Sequence, residues 1–144
     1  MMLQFCSQDI AMNTKRVLIV EDDASVLYML KAGVKMCCPN FEVESASNGS
    51  AALDRLRHTD SAQEFDLILT DYNMPLMNGL ELARVVRDKW PAVRIVLMTG
   101  SPDGVEFQRE INALNLDGYV KKPFGMDILA QILAGSQPQS GPDK

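Results

Sequence analysis

Five short apolar runs, each followed by a stretch of helical pattern, divide this chain: RVLIV (16–20), FEVESA (41–46), FDLILT (65–70), VRIVLMT (93–99) and GYVKK (118–122). The first, third and fourth are nearly continuous Val, Ile and Leu, the composition of strands buried on both faces. The second alternates Phe41, Val43 and Ser45 with Glu42 and Glu44, which predicts an edge strand with one wet face. Helix candidates lie over 24–37, 48–58, 78–89 and 104–114, with a last one over 125–134. Asp23 or Ser25 can cap the first helix, and Asn48 or Ser50 the second. Asn115 falls where a left-handed residue ends a helix, and Pro91 stops the third helix before its following strand. Strand then helix, five times over, predicts an α/β fold: a doubly wound, five-stranded parallel sheet with helices on both faces.

At 144 residues and 16.0 kDa the length suits one domain, and no internal repeat is visible. We read residues 15–134 as that domain, 1–14 as an N-terminal extension and 135–144, GSQPQSGPDK, as a flexible tail. Met12 opens MNTKRVLIVEDD, which would itself be a natural start. The N-terminus lacks a charged segment followed by a long apolar run, so no signal peptide is expected. No run approaches the roughly 20 apolar residues a membrane helix needs. A net charge of -5 and the lack of any Lys/Arg stripe argue against direct nucleic-acid binding. The three cysteines, Cys6, Cys37 and Cys38, show no CxxC spacing and read as free thiols, which suits a reducing cytoplasm. Cys37 and Cys38 are expected to be buried.

In a parallel α/β sheet, functional groups gather beyond the carboxyl ends of the strands. Here the first strand ends in Glu21-Asp22-Asp23, the third in Asp71, the fourth in Thr99-Gly100-Ser101 and the fifth in Lys122-Pro123. Carboxylates at adjacent strand ends repel one another and call for a cation. Oxygen ligands with no His or Cys among them suit Mg²⁺. Glu21, Asp22 and Asp71 carry -3, Mg²⁺ returns +2 and Lys122 returns +1, which leaves a near-neutral site able to admit a phosphoryl group. Asp71 would be the nucleophile, Lys122 a neutraliser of the phosphoryl oxygens, and Thr99 a hydroxyl donor to one of them. Gly100 leaves room for the donor. A phosphorylated Asp71 adds charge and acceptor oxygens that can draw in Thr99 and its loop.

VLIVEDD (17–23), LILTDYNMPLMNG (67–79), VLMTG (96–100) and GYVKKPF (118–124) together resemble the receiver domain of two-component response regulators. The resemblance covers about residues 16–134 and implies a flavodoxin-like sheet of strand order 2-1-3-4-5. It implies Asp71 as phosphoacceptor, with Mg²⁺ held by Glu21, Asp22, Asp71 and the backbone carbonyl of Asn73. Thr99 and Tyr119 match the switch pair, Lys122 the phosphate-binding lysine, and Pro123 the proline that follows a cis peptide bond. The implied donor is a sensor histidine kinase or a histidine phosphotransfer protein, and the implied output is docking on a downstream protein. Asn73 and Ser101 match positions that tune the phosphoryl lifetime, and neither is acidic. Glu21 stands where many receivers have Asp. The short last helix, ended by Gly135 and Pro138, implies a monomer or weak dimer. Pro102 and Gly104 weaken the start of the fourth helix.

Each residue alone has a plainer reading. The acidic run could serve only the helix dipole, Asp71 a turn, Thr99 a strand end and Tyr119 half-buried packing. His58 reads as a solvated surface residue, and Met74 and Met77 as packing beneath the Asp71 loop. A Mg²⁺ phosphatase of the haloacid dehalogenase type would use similar groups, but Asn73 stands where its second acid would be. A binding module without phosphate chemistry would not need the acids, Thr99 and Lys122 together. Neither G-x-G-x-x-G nor G-x-x-x-x-G-K-[ST] occurs, which disfavours a nucleotide-binding fold.

Overall fold

A computed structural model describes residues 14–58, 65–100 and 105–135. Five strands, β1 (Lys15–Val20), β2 (Phe41–Ala46), β3 (Leu67–Asp71), β4 (Arg94–Thr99) and β5 (Gly118–Lys121), alternate with five helices. The helices are α1 (Ala24–Cys37), α2 (Gly49–Arg57), α3 (Gly79–Lys89), α4 (Val105–Ala113) and α5 (Met126–Ala134). The strands pair in the order β2-β1-β3-β4-β5, all parallel, so the flavodoxin-like fold holds. From β1 the chain winds out to β2, then returns across β1 to β3, β4 and β5. The reversal leaves a crevice beyond the carboxyl ends of β1 and β3.

The caps follow the local chemistry. The Asp23 side chain accepts from the N–H groups of Ser25 and Val26, and Asn48 from that of Ala51. Asn78 and Glu81 cap α3 reciprocally. Asn115 lies at φ 56°, as its place after α4 predicts, and Gly135 at φ 94° ends α5 after nine residues.

Two main cores flank the sheet. Leu18, Val20, Ile68 and Ile95 pack against α2 and α3 on one face, and Val17, Ile19, Leu69 and Met98 against α1 and α5 on the other. A third, smaller cluster of Leu80, Leu97, Phe107 and Ile111 seats α4. At the opposite edge of the sheet from the crevice, the Arg87 guanidinium donates to the carbonyls of Pro91, Val93, Leu114 and Asn115.

Two expectations need correction. The wet face of β2 is not simply solvated: Glu44 is partly buried and ion-paired with Arg16 and Arg55. Arg16 is drawn there because its guanidinium also lies 4.5 Å over the Phe65 ring. Cys37 and Cys38 are free and partly rather than fully buried: they end α1 and pack against the margin of the core it shares with the sheet. His58 is exposed, as expected, with its Nδ1 2.7 Å from the Asp54 carbonyl. Met74 is buried and Met77 packs beside it, so both lie beneath the loop that follows Asp71. Ser101, Pro102 and Gly104, residues 1–13 with Cys6 and Met12, and the tail from 136 lie outside the described residues.

Candidate functional site

The carboxyl ends of β1 and β3 bring the acids together. Glu21 directly follows β1 and Asp71 is the last residue of β3; they are 2% and 4% exposed. Asp22 stands exposed beside them, and one carboxylate oxygen from each of the three lies within 4.8 Å of the others. Lys122, just past β5, reaches in from the far side: its Nζ is 3.2 Å from Asp71 Oδ1 and 3.3 Å from Glu21 Oε1. Its backbone N–H donates to the Thr99 carbonyl at 2.8 Å, and its peptide bond to Pro123 is cis. Thr99, the last residue of β4, is fully buried. Asn73 is exposed two residues after Asp71, and Tyr119 is half-buried on β5.

Gly79 explains how Asp71 is held so low in the fold. A Cβ at Gly79 would meet the Asp71 carbonyl oxygen at 2.5 Å and the Tyr72 Cα at 3.0 Å. The start of α3 therefore packs directly on the backbone of the acidic position, and the Gly79 N–H donates to the Tyr72 carbonyl at 2.8 Å. Between them the loop turns on Leu76, fully exposed at φ 75° and spanned by a Met77 N–H to Pro75 carbonyl bond. A leucine in that conformation is strained, the kind of strain found at functional loops. Gly79→Ala is expected to destabilise the fold by about 1–3 kcal/mol, measured by urea denaturation, because the clash is with backbone and cannot be relieved by a rotamer change.

The electrostatics are unbalanced. Burial pushes the Glu21 carboxyl above the usual carboxylate range, and the neighbouring Asp71 charge adds to the push. Burial raises Asp71 as well, only partly offset by Lys122. Partial burial works to lower the Lys122 ammonium, but Asp71 and Glu21 outweigh it and hold Lys122 above the ordinary lysine value. Between the ordinary carboxylate range and these raised values, the folded chain keeps protons that the unfolded chain has lost. Stability from these two acids therefore falls as pH rises through that window. The Lys122 contribution is full at all these pH values and is lost only as pH climbs through its raised folded value. In Mg²⁺-free buffer, Asp71→Asn is expected to be more stable than the native chain at neutral pH, and to lose that advantage toward acid. Denaturation curves across pH check both signs.

One ammonium against two buried carboxylates and a third at the rim leaves room for a cation. Three hard oxygen donors with no nitrogen or sulfur ligand fit a divalent ion such as Mg²⁺.

Two features beside the acids had no signal in the sequence. An open apolar groove of about 560 Å³ runs from Lys122 along Val26, Met29, Leu30, Phe124 and Met126. Near it, Tyr28 and Met29 are largely exposed on α1. On the other side, the Tyr72 ring meets Phe107 edge-to-face at 5.5 Å, and Phe107 meets Tyr119 the same way at 5.5 Å. Only the packing of α4 on the sheet reveals this contact. No helix among the described residues is long and apolar enough to cross a membrane.

Comparison with known proteins adds to this geometry. The profile of the response regulator receiver domain matches residues 17–134. The two-component response regulator ORR41 of Oryza sativa is 33% identical over 119 residues, which span 83% of this chain and 91% of that protein. The transcriptional regulatory protein CrdR of Helicobacter pylori is 34% identical over 118 residues, covering 80% of this chain but only 51% of CrdR. The chain thus spans about half the length of some of the curated relatives it matches. Among solved structures, the chemotaxis response regulator CheY4 of Vibrio cholerae superposes with a TM-score of 0.73 at 29% identity, over 85% of this chain and 98% of that one.

Proposed function

The chain belongs to the response regulator receiver domain family of two-component systems, and we propose that within it Asp71 accepts a phosphoryl group and switches a protein-binding surface. The observation that carries this reading is the ion pair of Lys122 with a buried Asp71 at a sheet crevice that also holds Glu21 and Asp22. An Asp71 carboxylate oxygen attacks phosphorus in line while the bond from phosphorus to the donor breaks. The residues that would hold Mg²⁺ are Glu21, Asp22, Asp71 and the Asn73 backbone carbonyl. When bound, the ion neutralises charge on the phosphoryl oxygens and on the acids around them.

Lys122 stabilises the same oxygens from its position beside Asp71, and the Thr99 hydroxyl donates to one of them. Thr99 and Lys122 are already tied through their backbones, so movement at Thr99 is felt at β5 and at Tyr119. The protein itself is the substrate of this chemistry; its output is a changed surface rather than a released product. The donor is a phosphohistidine on a sensor kinase or phosphotransfer protein, and the apolar groove that begins at Lys122 supports docking of such a partner next to the acceptor. The output is docking on a downstream protein. CrdR is a transcriptional regulator, but this chain covers half of it, and the chain's net charge of -5 favours a protein rather than DNA as direct partner here.

Intact-mass spectrometry after incubation with acetyl phosphate tests the reading. One added phosphoryl group with Mg²⁺ and none without it is the expected result; an unmodified chain in Mg²⁺ contradicts it.

A further inference from the structure

Exposed apolar surface is concentrated along one helix. Among the described residues, five large apolar side chains are exposed, and four of them belong to α1 or the start of α5: Tyr28, Met29, Met36 and Met126. Met29, Ala32 and Met36 recur at helical spacing on one face of α1, and the two methionines are 70% and 76% exposed. That face runs into the open groove of about 560 Å³, which Met29 and Met126 line and which begins at Lys122. Met126 reaches along α1 as well. Its Sδ lies 3.3 Å from where a Gly33 Cβ would be, and its carbonyl accepts from Cys37 Sγ at 3.7 Å. Groove and methionine face together follow α1 from Val26 to its last turn.

The chain enters the fold beside the far end of this track. The Lys15 N–H donates to the Asn40 carbonyl at 3.2 Å and the Phe41 N–H to the Cys38 carbonyl at 3.0 Å, so Thr14 adjoins the turn that follows α1. Thirteen residues, MMLQFCSQDIAMN, precede Thr14; eight of them are apolar, and Asp9 is the one charged side chain. The segment at 136–144, SQPQSGPDK, carries no such apolar residue. The 14 residues of α1 make it about 21 Å long, and thirteen residues reach about 20 Å as a helix or about 43 Å extended. Either form spans the track. Lys31 and Lys35, four apart on the neighbouring face of α1, offer Asp9 a counter-charge.

From these observations we propose that residues 1–13 fold back along α1, with Leu3 and Phe5 docked in the groove beside Lys122. Ile10 and Met12, nearer Thr14, then cover Met36. Tethering makes modest contacts sufficient: an effective concentration of about 1 mM turns an intrinsic affinity of about 0.1 mM into about tenfold occupancy. The docking itself is independent of the chemistry at Asp71. Its consequence rests on the phosphoacceptor reading and deepens it. The segment occupies the groove next to the acceptor, so a protein donor must displace it, whereas a donor as small as acetyl phosphate needs no groove.

Methionine footprinting of the full chain tests the docking. Hydrogen peroxide passes one oxygen to an accessible thioether, giving sulfoxide and water, and peptide mass spectrometry reads the rate at each methionine. With Leu3→Asp and Phe5→Asp combined, Met29, Met36 and Met126 are expected to oxidise about tenfold faster than in the native chain. Buried Met74 keeps its rate. Leu3→Met with Phe5→Leu, which stays apolar, retains the protection. Equal rates at the three methionines in the native and aspartate chains overturn the proposal. So does a rise that includes Met74, which reports a loosened fold rather than an uncovered face. Native protection is expected to be unchanged on dilution; protection lost on dilution assigns the face to a second copy of the chain and overturns the proposal too. Uptake from acetyl phosphate is expected to be equal in the native and aspartate chains. If the native chain takes up no phosphoryl group, the phosphoacceptor reading falls while the footprint still decides the docking.

Discussion

Asp71→Asn is expected to leave the chain folded and to remove phosphoryl incorporation from acetyl phosphate to below detection, where the native chain is expected to take up one group. The asparagine amide is nearly the same size as the carboxyl but is no nucleophile at phosphorus, so the loss is of chemistry and not of shape. The same substitution is expected to raise stability in Mg²⁺-free buffer at neutral pH, because it removes the charge that burial disfavours and that raises the Glu21 carboxyl. Loss of acceptance together with a gain in stability marks a residue kept for function at a cost to the fold. Intact mass and denaturation on the same preparation check the pair. Residual incorporation near the native level would place the acceptor elsewhere.

Lys122→Met is the second large effect. Its ammonium lies 3.2 Å from Asp71 and 3.3 Å from Glu21, and the lysine side chain is only 28% exposed against 6% and 1% for its partners. Methionine keeps much of the stem volume and removes the charge. In Mg²⁺-free buffer the two buried carboxylates lose their counter-charge, and the fold is expected to lose about 3 kcal/mol at neutral pH. Added Mg²⁺ is expected to recover most of that loss, because a divalent ion held by the same acids would supply the missing charge. The rate of phosphoryl uptake, by contrast, is expected to stay about a hundred- to a thousandfold below native even with Mg²⁺ present, the loss that follows when one charge-stabilising donor is removed from the reacting oxygens. A stability loss that Mg²⁺ repairs beside a rate loss that it does not repair separates the two roles of Lys122.

The parts of this molecule that could be read in advance are those in which consecutive residues carry the whole signal. Leu67 to Thr70 are apolar on both faces and Asp71 breaks the run, so strand, burial and acidic end were visible in five letters. Glu21, Thr99 and Lys122 each follow such a run, and parallel topology alone brings their strand ends to one edge. Asn48 and Asn115 show their roles locally, one as a cap and one at positive φ. Other features depend on which element lands on which. Glu44 looked solvated because nothing in its own strand indicates that Arg16 and Arg55 converge on it. Nothing in the letters around Arg87 indicates that it serves carbonyls from two separate loops. Phe107 was one apolar residue in a helical pattern, and its place between Tyr72 and Tyr119 follows only from the seating of α4. The apolar groove beside Lys122 belongs to the same class, because its walls come from α1, β4, the β5–α5 connection and α5.

The most direct test of the account is to locate the modification. An aspartyl phosphate is reduced by borohydride to homoserine, which fragment mass spectrometry assigns to a single position. The chain treated with acetyl phosphate and Mg²⁺, then reduced, is predicted to carry homoserine at position 71 and nowhere else. Homoserine at Asp22 or another carboxyl, or a phosphoryl group that survives reduction on a hydroxyl, would contradict it.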